Sequence, residues 1–371
     1  MPRKGENIYQ RKDGRWEGRY RKARDSQGKL VYGSVYGKKY MEVKLKLEQI
    51  KAQYSSQKAY SKLFSGTTTE WLNYWLDHLV IGQVKKSTFA SYKTKLNNHI
   101  VPYIGHKKLS LLQKKDILEL LFYLGDKGLS TTTIHNTLTI FKGALTKAVV
   151  EKALVENPFD GVVFPPIKKK AITILSLEQQ KKLESIELQK KECSPIIIAL
   201  YTGLRIGEIS GLTWADIDLD NRIIHVVRTV QRISVTGKTA KTEILFDLPK
   251  SKQSLRKIPI AQNLYTYLSQ KKEATQGSFV INNHNSYAEP RLINYHFRRA
   301  IKQAEITGIH FHALRHTFAT RCIENGIDIA TLSHLLGHQS IKLTLDTYAG
   351  SLWETREQAM SVIDAQLNLA E

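Results

Sequence analysis

The sequence predicts an α+β, mostly helical, multidomain chain. A length of 371 residues exceeds one ordinary domain. Strand-like alternation is confined to the first sixty residues and to a stretch between residues 223 and 260, and helical spacing of apolar residues dominates elsewhere. We therefore expect a small N-terminal β-sheet with a helix (residues 1–60), an all-α domain (67–166) and a mixed α/β domain (170–371).

The chain is strongly basic, with 56 Lys and Arg against 34 Asp and Glu and a formal net charge of +22. Residues 1–60 alone contain 16 Lys and Arg against 6 Asp and Glu. Such a surplus indicates a polyanionic partner, of which nucleic acid is the first candidate. The length and the motifs below weigh against a ribosomal or generic basic protein.

Cysteine usage and hydropathy argue against export. Cys193 and Cys322 are the only cysteines and form no CxxC pair, so we expect neither a disulfide framework nor a Cys-based zinc site, and a reducing cytoplasm fits. The apolar run at residues 195–200 is too short to span a bilayer, and the N-terminus lacks the apolar core of a signal peptide. No membrane partner is expected.

The sequence of the first module predicts strands separated by turns and then a helix over residues 38–57. Alternation places Arg15, Arg19 and Arg21 on one face of a strand and aromatic residues on the other. A basic ribbon of this width fits the major groove of DNA. A solvated basic sheet is the alternative, and the total charge favours contact with DNA.

In the second part, Ser87–Thr88 and Ser130–Thr131 are predicted helix caps, and Pro165–Pro166 ends the helical pattern. The corner formed by Lys85, Lys86, Ser87 and Thr88 is a candidate phosphate site at a helix N-terminus, with Lys95 further along the same helix as another DNA-contact candidate. Taken alone, such a corner is more often an ordinary cap with solvated lysines.

The third part opens with a capping box at residues 176–179 and an apolar helix at 195–201. Strand-like runs follow at residues 223–228, 244–249 and 257–260, and helices resume from about residue 264. This mixture predicts an α+β domain that is mostly helical.

Three motifs in this part carry chemistry: TGLRIGE at residues 202–208, HFHALRHTFAT at 310–320 and LLGHQSIKLTLDTY at 335–348. Singly, each has an ordinary interpretation. An Arg–Glu pair is often structural, and a lone tyrosine near a C-terminus usually packs in a core. The three histidines of the second motif are one route to a zinc site, but no HExxH glutamate accompanies them.

In this order, the three motifs resemble the catalytic domain of the tyrosine recombinase (lambda-integrase-like) family. The resemblance covers about residues 170–350 by motif, and the three-part layout extends it to almost the whole chain. It implies that Arg205 and Arg315 form the active-site arginine pair, that His312 and His338 are the two active-site histidines, and that Tyr348 is the nucleophile.

The family also has a lysine in a β-hairpin turn. Within residues 248–259, Lys250 fits the family's sequence motif best, and Lys252 is the alternative. Ala313 departs from the family, which commonly has an acidic residue there, and this should alter helix capping rather than remove a catalytic group. His316 is interpreted as structural.

The resemblance implies a chemistry without metal, ATP or any cofactor. Two guanidiniums bind the non-bridging oxygens of the scissile phosphate, and His338 hydrogen-bonds the same group. His312 is the expected base or proton relay for the tyrosine, and the hairpin lysine is the expected general acid for the leaving 5′-oxygen. The product is a 3′-phosphotyrosyl link.

We therefore expect a site-specific DNA recombinase, an integrase of a phage or conjugative transposon, acting in the cytoplasm at the bacterial nucleoid. Expected partners are double-stranded DNA with core and arm sites and a homo-tetramer on that DNA. The family commonly also works with an excisionase and a host DNA-bending protein. A type IB topoisomerase-like enzyme and a DNA-binding regulator that never cuts are the alternatives.

Overall fold

The chain is described here from a computed structural model that covers residues 7–24, 30–60, 64–167, 172–235, 242–247, 254–275, 277–284 and 286–348, with isolated residues between 357 and 364. For residues 21–24, 30–31 and 51–60 only the backbone is described. The chain divides into two compact units, Met1–Lys168 and Lys169–Glu371.

The first unit begins with a three-stranded antiparallel sheet and a helix, which confirms the expected sheet-plus-helix arrangement. The sheet order is β1-β2-β3, and the helix buries Val43 and Leu47 together with Ile8 of the first strand. The elements are β1 (Ile8–Gln10), β2 (Trp16–Arg24), β3 (Leu30–Gly37) and α1 (Tyr40–Tyr60).

The remainder of this unit is all helical and encloses its own apolar core, in which the indole N–H of Trp71 donates to the carbonyl of Ala144 at 3.0 Å. Two of the helices continue into π-helical turns, at Trp75–Val80 and Leu96–Ile100. The helices are α2 (Thr68–Tyr74), α3 (Lys86–Lys95), α4 (Val101–Ile104), α5 (Lys114–Asp126) and α6 (Thr131–Val150), with a 3₁₀ turn at Leu109–Leu111.

Of the two predicted caps in this unit, one is confirmed and one is displaced. Ser130 caps α6 by accepting the backbone N–H of Thr133 at 3.2 Å. In contrast, α3 already begins at Lys86, because the carbonyl of Lys85 accepts the first helical N–H. The predicted capping residues 87 and 88 therefore lie inside the first turn.

The second unit combines eight helices, counted within its described residues, with small antiparallel sheets. Its strands form a β4-β5-β8 sheet, a β6-β7 hairpin and a short β9-β10 pair. The helices are α7 (Leu177–Leu188), α8 (Pro195–Thr202), α9 (Ile206–Ser210), α10 (Gln262–Ala274), α11 (Pro290–Gln303), α12 (His312–Glu324), α13 (Ile329–Leu336) and α14 (Ile341–Tyr348). The strands are β4 (Ile217–Asp218), β5 (Ile223–Val226), β6 (Thr229–Ser234), β7 (Thr242–Asp247), β8 (Arg256–Pro259), β9 (Asn282–Asn283) and β10 (Ser286–Tyr287).

The predicted elements of this unit are confirmed with shifted ends. The capping box at Ser176 and Gln179 is present. Helix α8 is almost wholly buried, as its continuous apolar run predicts, and it packs against α12. The strand predicted at residues 244–249 is present as β7, Thr242–Asp247, which pairs with β6, and the last two predicted residues lie outside the described residues. In the part of the chain that the structure describes, we find no helix with the length and apolarity needed to cross a membrane.

Candidate active site

The first arginine of the site, Arg205, is placed by a left-handed glycine. Helix α8 ends at Gly203, whose φ of 65° lets the chain reverse before α9 begins. Arg205 is the N-cap of α9, and its backbone N–H donates to the Glu208 carboxylate at 2.9 Å. Its guanidinium donates to the same carboxylate at 2.8 Å. The TGLRIGE motif is thus a helix C-cap joined directly to a helix N-cap.

Three guanidiniums donate hydrogen bonds to three successive carbonyl oxygens at the C-terminal end of α13. Carbonyls at a helix C-terminus have no intrahelical partner and carry partial negative charge, so they attract cations. Gly337, with a φ of 64°, ends the helix and leaves these oxygens accessible. The donors are Arg256 to Leu335 at 2.7 Å, Arg315 to Leu336 at 2.7 Å and Arg205 to Gly337 at 3.4 Å.

Glu208 is the carboxylate that compensates two of these cations. It is 4% exposed and accepts hydrogen bonds from Arg256 at 3.0 and 3.2 Å as well as from Arg205. Burial alone would raise the pKa of Glu208, but Arg256 and then Arg205 lower it to about 2. The carboxylate is therefore ionised near pH 7.

Arg315 is 2% exposed and donates to two carbonyl oxygens, that of Leu336 and that of Gly203 at 2.7 Å. Burial and then the neighbouring Arg205 lower the pKa of its guanidinium. Carbonyl dipoles orient the group without neutralising it, which leaves its charge available to an anion. A side chain at residue 203 would clash with its surroundings, since an added Cβ would lie 2.6 Å from the ring of Phe318.

Tyr348 is the last residue of α14 and is 2% exposed. Its hydroxyl lies 2.9 Å from Nδ1 of His316. His312 also contacts His316, with 4.7 Å between the two imidazole centroids. Burial raises the pKa of Tyr348 to about 12, although Arg315 opposes the shift. The interpretation of His316 as purely structural did not foresee this contact with the tyrosine hydroxyl.

His338 directly follows the left-handed Gly337, and its Nδ1 is 2.7 Å from the hydroxyl of Thr344. Burial and then Arg315 lower the pKa of His338 to about 4. Burial, then His316 and Arg315, lower the pKa of His312 to about 4. Both imidazoles are therefore neutral near pH 7 in the DNA-free protein.

The structure brings together five of the residues that the sequence assigns to the catalytic set: Arg205, His312, Arg315, His338 and Tyr348. Lys250 and its alternative Lys252 lie outside the described residues. Among the described residues, no group of three His, Cys, Asp or Glu side chains is arranged to hold a metal ion.

The expected DNA-contact residues lie in the first unit. Arg15 directly before β2 and Arg19 within it are exposed, and their guanidiniums pair with Asp13 at 2.8 Å and Glu17 at 3.1 Å respectively. The Arg21 side chain lies outside what the structure describes. The remaining candidates, Lys85, Lys86, Ser87, Thr88 and Lys95, lie at the N-cap of α3 and along that helix, and none of them is buried.

Sequence reasoning missed one face of α11. Arg291, Asn294, Tyr295 and Arg298 follow the spacing i, i+3, i+4, i+7 and line a groove of about 1090 Å³ that also contains Arg205 and His338. The alternation of these residues with the buried Ile293, Phe297 and Ala300 was visible in the sequence. It shows an amphipathic helix, but only the fold shows that its polar face borders the arginine site.

Comparison with known proteins agrees with this arrangement. Residues 169–354, half of the chain, match the model of the phage integrase family, and residues 67–124 match the phage integrase N-terminal SAM-like domain. The fold and the site thus define a tyrosine recombinase, an enzyme that cleaves and rejoins DNA strands. The chain belongs to the phage integrase family.

Relatives are similar over most of their length. A tyrosine recombinase XerC-like protein of Caldanaerobacter subterraneus is 26% identical, over 92% of this chain and 93% of its own. The ICEBs1 integrase of Bacillus subtilis is 26% identical, over 75% of this chain and 77% of its own. The structure of the Tn1549 transposon integrase in complex with a circular intermediate DNA matches with a TM-score of 0.69 and 25% identity, over 81% of this chain and 100% of that one.

We predict that Glu208→Gln lowers the free energy of unfolding of the second unit by about 3–5 kcal/mol, because it leaves the buried guanidinium of Arg256 and the partly exposed one of Arg205 without their carboxylate. Urea unfolding followed by circular dichroism measures the change. Glu305→Gln is the matched control, since Glu305 pairs with Lys182 at the surface with 82% of its side chain exposed, and it should change the midpoint little. Equal effects of the two substitutions would contradict this account of Glu208.

We also predict that the DNA-free protein loses stability as the pH falls from about 6.5 towards 4.5. In this window the unfolded chain binds protons at His312 and His338, whereas the folded protein, in which both pKa values are about 4, does not. The stability is fully present above the unfolded pKa and is lost as the pH falls towards the folded one.

His312→Asn should reduce this loss, whereas His334→Gln, at an exposed histidine of the same unit, should leave it unchanged. Thermal unfolding measured at several pH values provides the test. A transition temperature that is constant from pH 7 to 5 would count against the lowered pKa values of His312 and His338.

Proposed function

We propose that the chain integrates and excises a mobile DNA element by cutting and rejoining strands through Tyr348. The observation that carries this proposal is the convergence of Arg205, Arg315, His338 and Tyr348 around the C-terminal end of α13. A DNA-binding regulator has no need of a buried tyrosine beside a buried arginine. That pairing is what attack on a phosphodiester requires.

In the first step, the Tyr348 oxygen attacks the scissile phosphorus and forms the phosphotyrosyl bond, while the bond from phosphorus to the 5′-oxygen breaks. Arg205 and Arg315 bind the non-bridging oxygens, where negative charge increases in the transition state. His338 donates a hydrogen bond to the same phosphate from the imidazole nitrogen that does not contact Thr344.

Two protons move in this step. The phenol proton passes to the histidine cluster, in which His312 serves as base or relay. The leaving 5′-oxygen takes a proton from the hairpin lysine, Lys250 or alternatively Lys252. Attack by the 5′-hydroxyl of another strand on the phosphotyrosyl bond reverses both transfers, so the phosphodiester energy is retained and no ATP is consumed.

Recombination of two duplexes cuts four strands, and each chain carries one such tyrosine, which supports a homo-tetramer on DNA. The basic β-sheet module at residues 1–60 would bind arm sites, and the helical segment at 67–166 and the catalytic domain at 170–371 would both bind the core site. An excisionase and a host DNA-bending protein would set the direction of the reaction at the bacterial nucleoid.

The decisive experiment uses nicked and supercoiled DNA carrying the joined ends of the element that encodes the chain, without Mg²⁺. Wild-type protein should form a covalent protein–DNA adduct, and Tyr348→Phe, which lacks the nucleophilic oxygen, should form none while binding the same DNA. Adduct formation by Tyr348→Phe would refute the assignment of the nucleophile. Relaxation of supercoils by isolated monomers without strand exchange would instead indicate a topoisomerase.

We predict that the polar face of α11 contacts the DNA backbone beside the scissile phosphate. Arg291→Ala and Arg298→Ala should each weaken core-site binding and lower the slope of log K against log salt by about one. Arg299→Ala removes the same charge from the same helix at an exposed position that does not line the groove, so it should change the slope less. Fluorescence anisotropy over a range of salt concentrations distinguishes these outcomes, and equal slopes for all three variants would refute the contact.

A further inference from the structure

The outer face of the N-terminal sheet, the face turned away from α1, contains a buried carboxylate. Trp16 packs towards α1, and a Cβ added at Gly18 would lie 2.9 Å from Val43 of that helix. Because side chains alternate along a strand, Glu17 between them points to the outer face. Glu17 is nevertheless only 3% exposed. A carboxylate on a face that meets DNA repels phosphates, so its presence there needs a physical reason.

Three neighbouring side chains donate hydrogen bonds to Glu17. The donors are the Ser34 hydroxyl at 2.8 Å, Nε of Arg19 at 3.1 Å and a terminal nitrogen of Arg11 at 3.1 Å. Burial alone would raise the pKa of Glu17, but Ser34 and then Arg19 lower it to about 2. The carboxylate is therefore ionised near pH 7 and acts only as an acceptor.

Arg19 is held at one edge of its guanidinium and open at the other. Its Nε donates to Glu17, and its guanidinium carbon lies 5.3 Å from the centroid of the Tyr9 ring, a cation–π contact. Its two Nη nitrogens have no hydrogen-bond partner among the residues that the structure describes. The edge formed by these two nitrogens is therefore available to a ligand.

The other two arginines near this carboxylate are less suited to the same task. Arg15 pairs with Asp13, but 59% and 41% of the two side chains are exposed, and such pairs restrict their side chains weakly. Arg11 reaches Glu17 from the turn after β1, at the edge of the face. Arg19 lies in β2, the central strand of the three, where a sheet inserted into the major groove comes closest to the bases.

We propose that Arg19 reads a guanine in the major groove of the arm site and that Glu17 is its positioning residue. The two Nη groups of an arginine match the O6 and N7 acceptors of guanine in a bidentate contact. An arginine loses rotamer entropy when it is immobilised, and the buried contact with Glu17 has already removed part of that freedom before DNA binds. Residues 1–60 must bind arm sites for this to hold, so the inference rests on the proposed function of that module.

The carboxylate has a cost that gives the test its sign. One negative charge on the DNA-binding face weakens binding to every DNA sequence, because that binding depends on phosphate contacts. The ordered arginine strengthens binding to one sequence only. Removal of the charge should therefore strengthen binding to arbitrary DNA and at the same time weaken discrimination, whereas general damage to the module would weaken both.

The first experiment finds the guanine. Full-length protein is bound to duplex segments from the two ends of the element that encodes it, and nuclease protection identifies arm sites as protected stretches away from the point of cleavage. Each guanine in an arm site is then replaced singly by 7-deazaguanine, which lacks the N7 acceptor. We expect one replacement to weaken wild-type binding by about fivefold. Arg19→Lys, which keeps the charge but not the bidentate geometry, should bind the modified and unmodified duplexes equally.

The second experiment tests the carboxylate. Glu17→Gln keeps the shape of the side chain and removes its charge. It should reduce the 7-deazaguanine penalty to less than about twofold, while affinity for a random-sequence duplex at low salt rises by about threefold. Asp13→Asn is the matched control, because Asp13 pairs with Arg15 and Arg11 but not with Arg19. It should raise the random-sequence affinity similarly and leave the penalty at its wild-type size.

The outcomes are distinct. An undiminished 7-deazaguanine penalty in Glu17→Gln, or an equal loss of the penalty in Asp13→Asn, would overturn the positioning role. Loss of affinity for both duplexes in Glu17→Gln, with a lower unfolding temperature, would show the carboxylate to be structural and would overturn it too. An arm site that is insensitive to 7-deazaguanine, or an undiminished penalty in Arg19→Lys, would refute guanine reading by Arg19 while arm binding stands. The absence of any protected arm site would refute the proposed function of residues 1–60 itself.

Discussion

The site depends on the gathering of three guanidiniums at the C-terminal end of α13. Their charges are opposed by one carboxylate, Glu208, and by three carbonyl dipoles, so a surplus of two positive charges remains. A phosphodiester brings about one negative charge, and its pentavalent transition state about two. Under the proposed mechanism the cluster would thus be matched electrostatically to the transition state rather than to the bound substrate, which is the condition for acceleration. Arg256 contributes to this charge balance although its side chain is buried and does not line the groove.

The same cluster joins elements that are distant in sequence. Carbonyls from α8 and α13, a carboxylate from α9 and side chains from β8 and α12 meet within hydrogen-bonding distance. Because every one of these groups is buried or nearly so, each would be costly without the others. The two left-handed glycines, Gly203 and Gly337, are needed for this geometry, since they turn helix-terminal carbonyls towards Arg315 and Arg205.

Much of this could be predicted from the sequence, and the remainder has identifiable physical reasons. The local sequence pattern predicted the helix caps at Ser130 and Ser176. The order of the three motifs predicted Arg205 and Tyr348 as site residues, and the structure places both in one unit. The local pattern failed at α3, which begins at Lys86 although serine and threonine follow. The spacing of His312 and His316 was evident, but nothing in it shows that a tyrosine 32 positions later reaches the second histidine.

The arginine cluster also affects the protonation of the two active-site histidines. Arg315 and Arg205 are among the groups that lower the pKa of His312 and His338 in the DNA-free protein. A phosphate bound to those guanidiniums would offset their fields and raise both pKa values towards the ordinary range. The histidines would then become better proton acceptors and donors only when the scissile phosphate is in place. Under the proposed mechanism the substrate would complete the electrostatics of its own cleavage, while Tyr348, whose pKa burial raises to about 12, is protonated in the DNA-free protein.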